Sequence, residues 1–194
     1  MIRKTFFSVS PDETRQALNG LLLEVEGDNA SLVGTDGHRL AVISRPVKSN
    51  ASKGEVLSFL LPKKALSELL KLMEDESATF GFSSQDNHLA FICGKQVIVS
   101  RKIDGKFPNY RQVIPSDNQL KAKSERNSLT HALKRVALLA DEKSKMVRFE
   151  IQKDSLTLVS DNTDQGAAHE EMPIEYAGEE VSIGLNAKYV LDIL

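Results

Sequence analysis

The feature that most constrains this chain is that it partly repeats itself. Residues 61–70 lie over residues 185–194, with Lys64 over Lys188, Leu66 over Val190, Glu68 over Asp192 and Leu69 over Ile193. Residues 24–33 lie over residues 150–159, with Glu24 over Glu150, Asp28 over Asp154 and Val33 over Val159. The offsets, 124 and 126 residues, are close enough to one displacement to indicate a structural repeat of about 125 residues. On that frame the first unit lacks a counterpart for most of a helix at 129–140, and the second lacks everything matching 73–115. The chain also opens without an N-cap and stops inside its last helix, so a piece of a longer repeat protein is expected.

Within each unit the apolar pattern predicts mostly strands. Leu21, Leu23 and Val25 alternate with Leu22, Glu24 and Glu26, the period of a strand with two distinct faces. Further strands are expected at 31–35, 39–46, 56–61, 79–82, 88–93 and 97–102, with hairpin loops at 83–87 and 94–95. The Asp36-Gly37 pair between two apolar runs is a hairpin signal, because Gly takes positive φ freely and Asp bonds its own backbone. A turn accounts for Asp36 and Gly37 but not for the crowding of Thr35, His38, Arg39 and Leu40 around them.

A helix is expected from Pro62, where the missing N–H costs nothing, with Leu66, Leu69, Leu70 and Met73 on one face and Lys64, Ser67, Glu68 and Lys71 on the other. Residues 103–115 form an irregular connection and 116–125 a linker. The second half starts with a helix capped by Asn127 or Ser128, whose stripe is Leu129, Ala132, Leu133, Val136, Ala137 and Ala140. Strands at 147–152, 155–161, 167–174 (the weakest) and 180–184 follow, then a helix from 186. The fold class is α+β, two helices on a mostly antiparallel sheet per unit.

Composition excludes several classes. A formal net charge of -2 rules out a grossly basic nucleic-acid arm, though not a local basic face. No apolar run approaches the roughly 20 residues of a membrane span. The single cysteine, Cys93, cannot form an internal disulfide, and its neighbours Phe91 and Ile92 make a strand-buried thiol in a reducing, cytoplasmic compartment the expectation. The sequons at Asn29 and Asn50 are then chance matches. The four histidines, His38, His88, His131 and His169, lack metal-ligand spacing, and neither a nucleophile elbow nor a Walker A loop is present. Carboxylate pairs such as Glu24 with Glu26 and Glu170 with Glu171 have nothing evident to perturb them. No catalytic constellation, metal or cofactor is expected.

Two spaced motifs carry a family resemblance across essentially the whole chain. Leu18, Asn19 and Gly20 followed by Thr35, Asp36, Gly37, His38, Arg39, Leu40, Ala41 and Val42 form the first, and the run from Asp104 through Phe107, Pro108, Tyr110 and Val113 to Pro115 the second. Together they resemble the middle domain of the bacterial sliding clamp, the β subunit of the DNA polymerase III holoenzyme. The run from Tyr189 to Leu194 resembles the start of that clamp's third domain.

The resemblance implies a partial DNA clamp fold. Residues 1–116 would be the middle domain without its opening strand and most of its first helix, and 117–194 the C-terminal domain without its closing strands. Clamps of this family are head-to-tail homodimeric rings of three similar domains per subunit. They enclose double-stranded DNA without reading sequence and act as processivity factors, not enzymes. Their partners, DNA polymerase III, clamp-loader subunits and repair polymerases, insert a short peptide of the Gln-x-x-Leu-Phe kind into a surface pocket.

The positions matching that pocket are Arg15, Leu18, Thr35, Gly37, His38, Arg39, Leu40, Pro108 and Val113. Leu18, Leu40, Pro108 and Val113 would supply apolar walls, Gly37 would let a peptide approach the backbone, and Thr35, His38 and Arg15 would hold its polar groups. The plainer alternative is that His38 and Thr35 only dress a hairpin. The DNA-facing candidates are Lys63, Lys64 and Lys71 on one helix, Lys134 and Arg135 on another, and Lys188 on a third. The loop 10–17 touches DNA in the family, but Asp12, Gln16 and Ala17 depart from its pattern here. A second functional reading is a ring-incompetent peptide-binding module that competes for clamp partners.

Overall fold

The computed structural model describes residues 1–52, 54–72, 80–162 and 166–194. It divides into two compact units, Met1–Val113 and Ile114–Leu194. No helix among the described residues is long and apolar enough to cross a membrane.

In Met1–Val113 the strands β1 (Gly20–Glu26), β2 (Asn29–Thr35), β3 (Leu40–Pro46) and β4 (Val56–Pro62) form an antiparallel sheet in the order β3-β2-β1-β4. Leu22 pairs with both Val33 and Leu60, so these three side chains share one face, and Leu21, Leu32 and Leu61 share the other. Both faces are covered. Over the Leu21 face lies helix α1 (Lys63–Leu72), whose Leu66 and Leu69 are fully buried, together with Ile2, Val9, Leu89 and Phe91. Over the Leu22 face lies the irregular connection 103–113, which contributes Phe107 and Tyr110. That second cover is why the strand is apolar on both sides near its start.

The remaining strands, β5 (Gly81–Gln85), β6 (His88–Cys93) and β7 (Gln96–Arg101), form a second antiparallel sheet in that order. It meets the first through aromatic rings, with Phe59 of β4 and Phe82 of β5 centred 5.1 Å apart, and Phe82 in turn 5.3 Å from its cross-strand partner Phe91. Residues 1–9, which show no sequence period, form two 3-10 turns, Ile2–Lys4 and Phe6–Ser8. Thr5 and Ser8 are completely buried there, and Ser8 Oγ donates to the Thr5 carbonyl at 2.6 Å.

In Ile114–Leu194, strands β8 (Met146–Gln152), β9 (Ser155–Asn162), β10 (Gly166–Pro173) and β11 (Val181–Asn186) take the order β10-β9-β8-β11. This repeats the first sheet strand for strand, and helix α3 (Ala187–Ile193) follows β11 as α1 follows β4. Helix α2 (Arg126–Val136) buries Ala132, Leu133 and Val136 against Val147, Phe149, Leu156 and Leu158. The internal repeat is therefore a repeat of topology, and the fold is the α+β arrangement expected.

Several local expectations change. Helix α2 is capped by Glu125, not Asn127 or Ser128: its carboxylate accepts from the Asn127 and Ser128 N–H groups at 2.9 and 2.5 Å. A carboxylate can take two orphan donors at the positive helix end, and those N–H bonds hold it below the usual carboxylate range. The helix gives way after Val136 to a 3-10 turn, Ala137–Leu139, which still leaves Ala140 buried. Pro62 ends β4, opposite Gly20, instead of opening α1. The weakest predicted strand is a full one, with β10 paired to β9 from Gly166 to Pro173. Lys123, in the stretch read as linker, exchanges both backbone bonds with Glu175 at 3.0 and 2.8 Å.

Cys93 is only half buried, because it ends β6 beside a two-residue turn and Phe91 takes the core position. Met73, Thr79 at the start of the strand expected at 79–82, and 163–165 lie outside the described residues.

Candidate functional site

The turn between β2 and β3 is built by its own side chains. Thr35 and Leu40 are a paired end of the ladder, leaving Asp36, Gly37, His38 and Arg39 as a four-residue connection, one residue longer than the strands expected at 31–35 and 39–46 leave. Asp36, 8% exposed, accepts at Oδ1 from the His38 and Arg39 N–H groups at 2.9 and 3.0 Å. Its Oδ2 accepts from Arg39 Nε at 3.1 Å. Thr35 Oγ1 donates to the Arg39 carbonyl at 2.6 Å and accepts from Gly37 N–H at 3.1 Å. Burial pushes the Asp36 carboxyl up, but the two amides and the guanidinium outweigh it and hold it below the usual range.

Two arginines tie this turn to its surroundings. Arg39 donates to the Phe7 carbonyl and lies 5.4 Å from the Phe7 ring centroid, joining the turn to the N-terminal 3-10 segment. Arg15 Nη1 donates to the Asp36 carbonyl at 2.8 Å and lies over Gly37, whose φ is +93°. A Cβ at Gly37 would stand 2.9 Å from Arg15 Nη2, so the turn admits only glycine without displacing that guanidinium. Thr35 and Arg39 are thus occupied in closing the turn, while His38 and Gly37 remain exposed.

Beside the turn is a cavity of about 420 Å³. It is lined by all nine residues matched to the family's pocket, Arg15, Leu18, Thr35, Gly37, His38, Arg39, Leu40, Pro108 and Val113, and by Asn109 and Tyr110. Three separate stretches of Met1–Val113 converge here: the 3-10 turn Gln16–Leu18, the β2–β3 turn, and the 3-10 turn Tyr110–Val113. Leu18 is buried as the floor, Leu40 is half buried, and Val113 is 67% exposed at the lip. Such a hollow, apolar below and polar at the rim, suits apolar side chains of a bound segment.

Asn109 and Tyr110 were missed as lining residues, although they sit inside the second motif. Tyr110 is placed by a group the sequence hides. Its hydroxyl donates to Glu24 Oε2 at 2.6 Å, and Arg111 Nη2 lies 2.9 Å from the same oxygen. Glu24 is therefore not a solvent-facing strand carboxylate: at 9% exposure it is buried and partnered, because the connection 103–113 closes over its face of β1. Burial, and then the Glu24 carboxylate, push the Tyr110 hydroxyl up to about 12. Glu170 is likewise engaged, paired with Arg135 from α2 and held below the usual carboxylate range by that hydrogen bond.

The six helix cations all stand on exposed faces. Lys71 is paired with Glu68 at 2.8 Å and Arg135 with Glu170, while Lys63, Lys64, Lys134 and Lys188 have no ion pair among the described residues. In the loop 10–17, Asp12 accepts from Thr14 N and Oγ1 at 3.0 and 2.6 Å, bonds that lower its pKa. Among the described residues no group of three or more metal-ligating side chains comes together.

Comparison with known proteins agrees with both the fold and the motifs. Residues 1–109 match the family model of the DNA polymerase III beta subunit, central domain, and residues 111–194 that of its C-terminal domain. The chain is 33% identical over 194 residues to the beta sliding clamp of Escherichia coli K12, covering all of this chain and 52% of that protein. It is 36% identical over 197 residues to the beta sliding clamp of Caulobacter vibrioides, again covering 100% and 52%. A crystal structure of the Pseudomonas aeruginosa sliding clamp superposes with a TM-score of 0.92 at 32% identity, covering 99% of this chain and 53% of that one. A second P. aeruginosa clamp structure, bound to griselimycin, gives the same TM-score of 0.92 and identity of 32%, over 100% and 52%. The chain spans about half the length of the curated relatives it matches. With both domain models matched in order and the topology shared, the chain belongs to the DNA polymerase III beta subunit family, the beta sliding clamps.

Proposed function

We propose that this chain provides the partner-binding part of a bacterial DNA-replication sliding clamp, a processivity factor that does no chemistry of its own. The observation that carries the reading is the convergence of the nine residues matched to the family's pocket, from positions 15 to 113, on one cavity within Met1–Val113. A partner peptide would seat a leucine or aromatic side chain between Leu18, Leu40 and Val113, with His38 and Arg15 at the rim. Residues 1–116 act as the middle clamp domain and 117–194 as the C-terminal one. The partners are DNA polymerase III, clamp-loader subunits and repair polymerases in the cytoplasm. In the homodimeric ring, Lys63, Lys64, Lys71, Lys134, Arg135 and Lys188 face duplex phosphates without base contacts.

The test is fluorescence anisotropy of a labelled Gln-x-x-Leu-Phe peptide titrated with the chain and with His38→Ala and Leu40→Asp. Saturable binding is expected, and Leu40→Asp is expected to abolish it by placing a carboxylate in the apolar wall while circular dichroism stays unchanged. Undiminished binding in folded Leu40→Asp would contradict the assignment. Griselimycin, held by the P. aeruginosa clamp, is a second probe of the same variants. Since the chain spans about half of its relatives, the competing module is tested alongside. A ring is retained on circular duplex and lost on linearisation, whereas a module that encircles nothing binds the peptide and is retained on neither.

A further inference from the structure

We propose that Glu24 is a positioning residue of the pocket, setting the wall from Pro108 to Val113 through Tyr110 and Arg111. This rests on the reading of the cavity as a peptide site. Glu24 does not line that cavity; it lies behind it, in a neighbouring cavity of about 450 Å³, and Tyr110 is a wall of both. A ligand against Leu18, Leu40 and Val113 would therefore touch Tyr110 but not Glu24.

The geometry makes Glu24 an anchor. It projects from β1, held on both sides by its neighbours Ser31 and Ser58, onto the face that the connection 103–113 covers. Its Oε2 accepts the Tyr110 hydroxyl at 2.6 Å and pairs with Arg111 Nη2 at 2.9 Å, and Oε1 lies 3.4 Å from Arg111 Nη1. The Arg111 guanidinium also covers the Tyr110 ring, 5.0 Å from its centroid. One buried carboxylate thus binds two consecutive residues of the 3-10 turn Tyr110–Val113, whose last residue is the lip of the pocket. Within the turn the Gln112 N–H reaches the Asn109 carbonyl at 3.3 Å, and the Tyr110 ring packs with Leu18, Leu22 and Phe107. Removing the carboxylate leaves the buried Tyr110 phenol without its acceptor and Arg111 without its ion pair, which frees the turn to shift and to move Asn109 and Val113 with Tyr110.

The experiment uses the whole chain as wild type, Glu24→Gln, Glu24→Ala, Tyr110→Phe and the Glu24→Ala/Tyr110→Phe double variant. Affinity for the labelled Gln-x-x-Leu-Phe peptide is measured at a temperature where circular dichroism shows each variant folded. Hydrogen exchange is followed at the Gln112 and Val113 amides. Glu24→Ala is expected to weaken the peptide about tenfold and to speed exchange at both amides, while amides of β8 and β9 are unchanged. Glu24→Gln, which keeps an acceptor for Tyr110, is expected to fall between. The double variant is expected to be no weaker than Glu24→Ala, because both changes cut one bond. Wild-type affinity and wild-type exchange in folded Glu24→Ala would overturn the proposal, as would additive losses in the double variant. If the wild type itself binds no peptide, the pocket reading fails, and the exchange data still decide whether Glu24 holds the turn.

Discussion

Asp36 shows how much of a binding-loop motif is spent on the loop. Its carboxylate gathers two backbone N–H groups and Arg39, so its pKa is lowered. A carboxyl with a depressed folded-state pKa contributes stability that is fully present above its unfolded pKa of about 3.9 and is lost as pH falls through the folded value. Peptide binding is therefore expected to hold to about pH 4 and to fall away below it. Asp36→Asn is expected to lose affinity at neutral pH, because the amide can no longer pair with Arg39; anisotropy across pH checks both. Tyr110 has the opposite sense. With its hydroxyl pushed up to about 12, its contribution is complete below the unfolded value near 10 and lost as pH rises through 12. Ultraviolet titration should show one phenol ionising near pH 12 that Tyr110→Phe removes.

At the scale of elements, the alternation in β1 to β4 was legible because each strand puts apolar side chains on a face that is then buried. Boundaries moved where a side chain supplied what the backbone lacked, as at Glu125, whose carboxylate starts α2 before the expected caps. The N-terminal 3-10 segment was illegible, since its order comes from packing on β2 rather than from periodicity. Gly34 tests that packing. A Cβ there would lie 2.4 Å from Ser8 Oγ and 2.6 Å from Leu21 Cδ2, so Gly34→Ala is expected to cost about 1–3 kcal/mol in chemical denaturation. Wild-type stability in Gly34→Ala would show that the segment does not pack on β2.

At the scale of the whole molecule, the chain carries two units built on one topology, the first with a core on each face of its sheet and the second with one. Leu133 is fully buried in the second, and Leu133→Ala is expected to destabilise that unit by about 3 kcal/mol while leaving peptide affinity unchanged, since the cavity lies within Met1–Val113. A loss of affinity while the variant is still folded would place part of the site elsewhere. The sequence by itself determined the repeat and the strand alternation, which follow from spacing and residue chemistry and are local, while nine of the cavity's lining residues were reached through the resemblance of its motifs to the clamp family. Only the tertiary structure decided that Glu24 is buried beneath Tyr110, that Thr35 and Arg39 close their own turn, and that Asn109 and Tyr110 complete the wall. Those depend on the connection 103–113 folding across β1, a contact between residues more than 80 positions apart that no local period encodes.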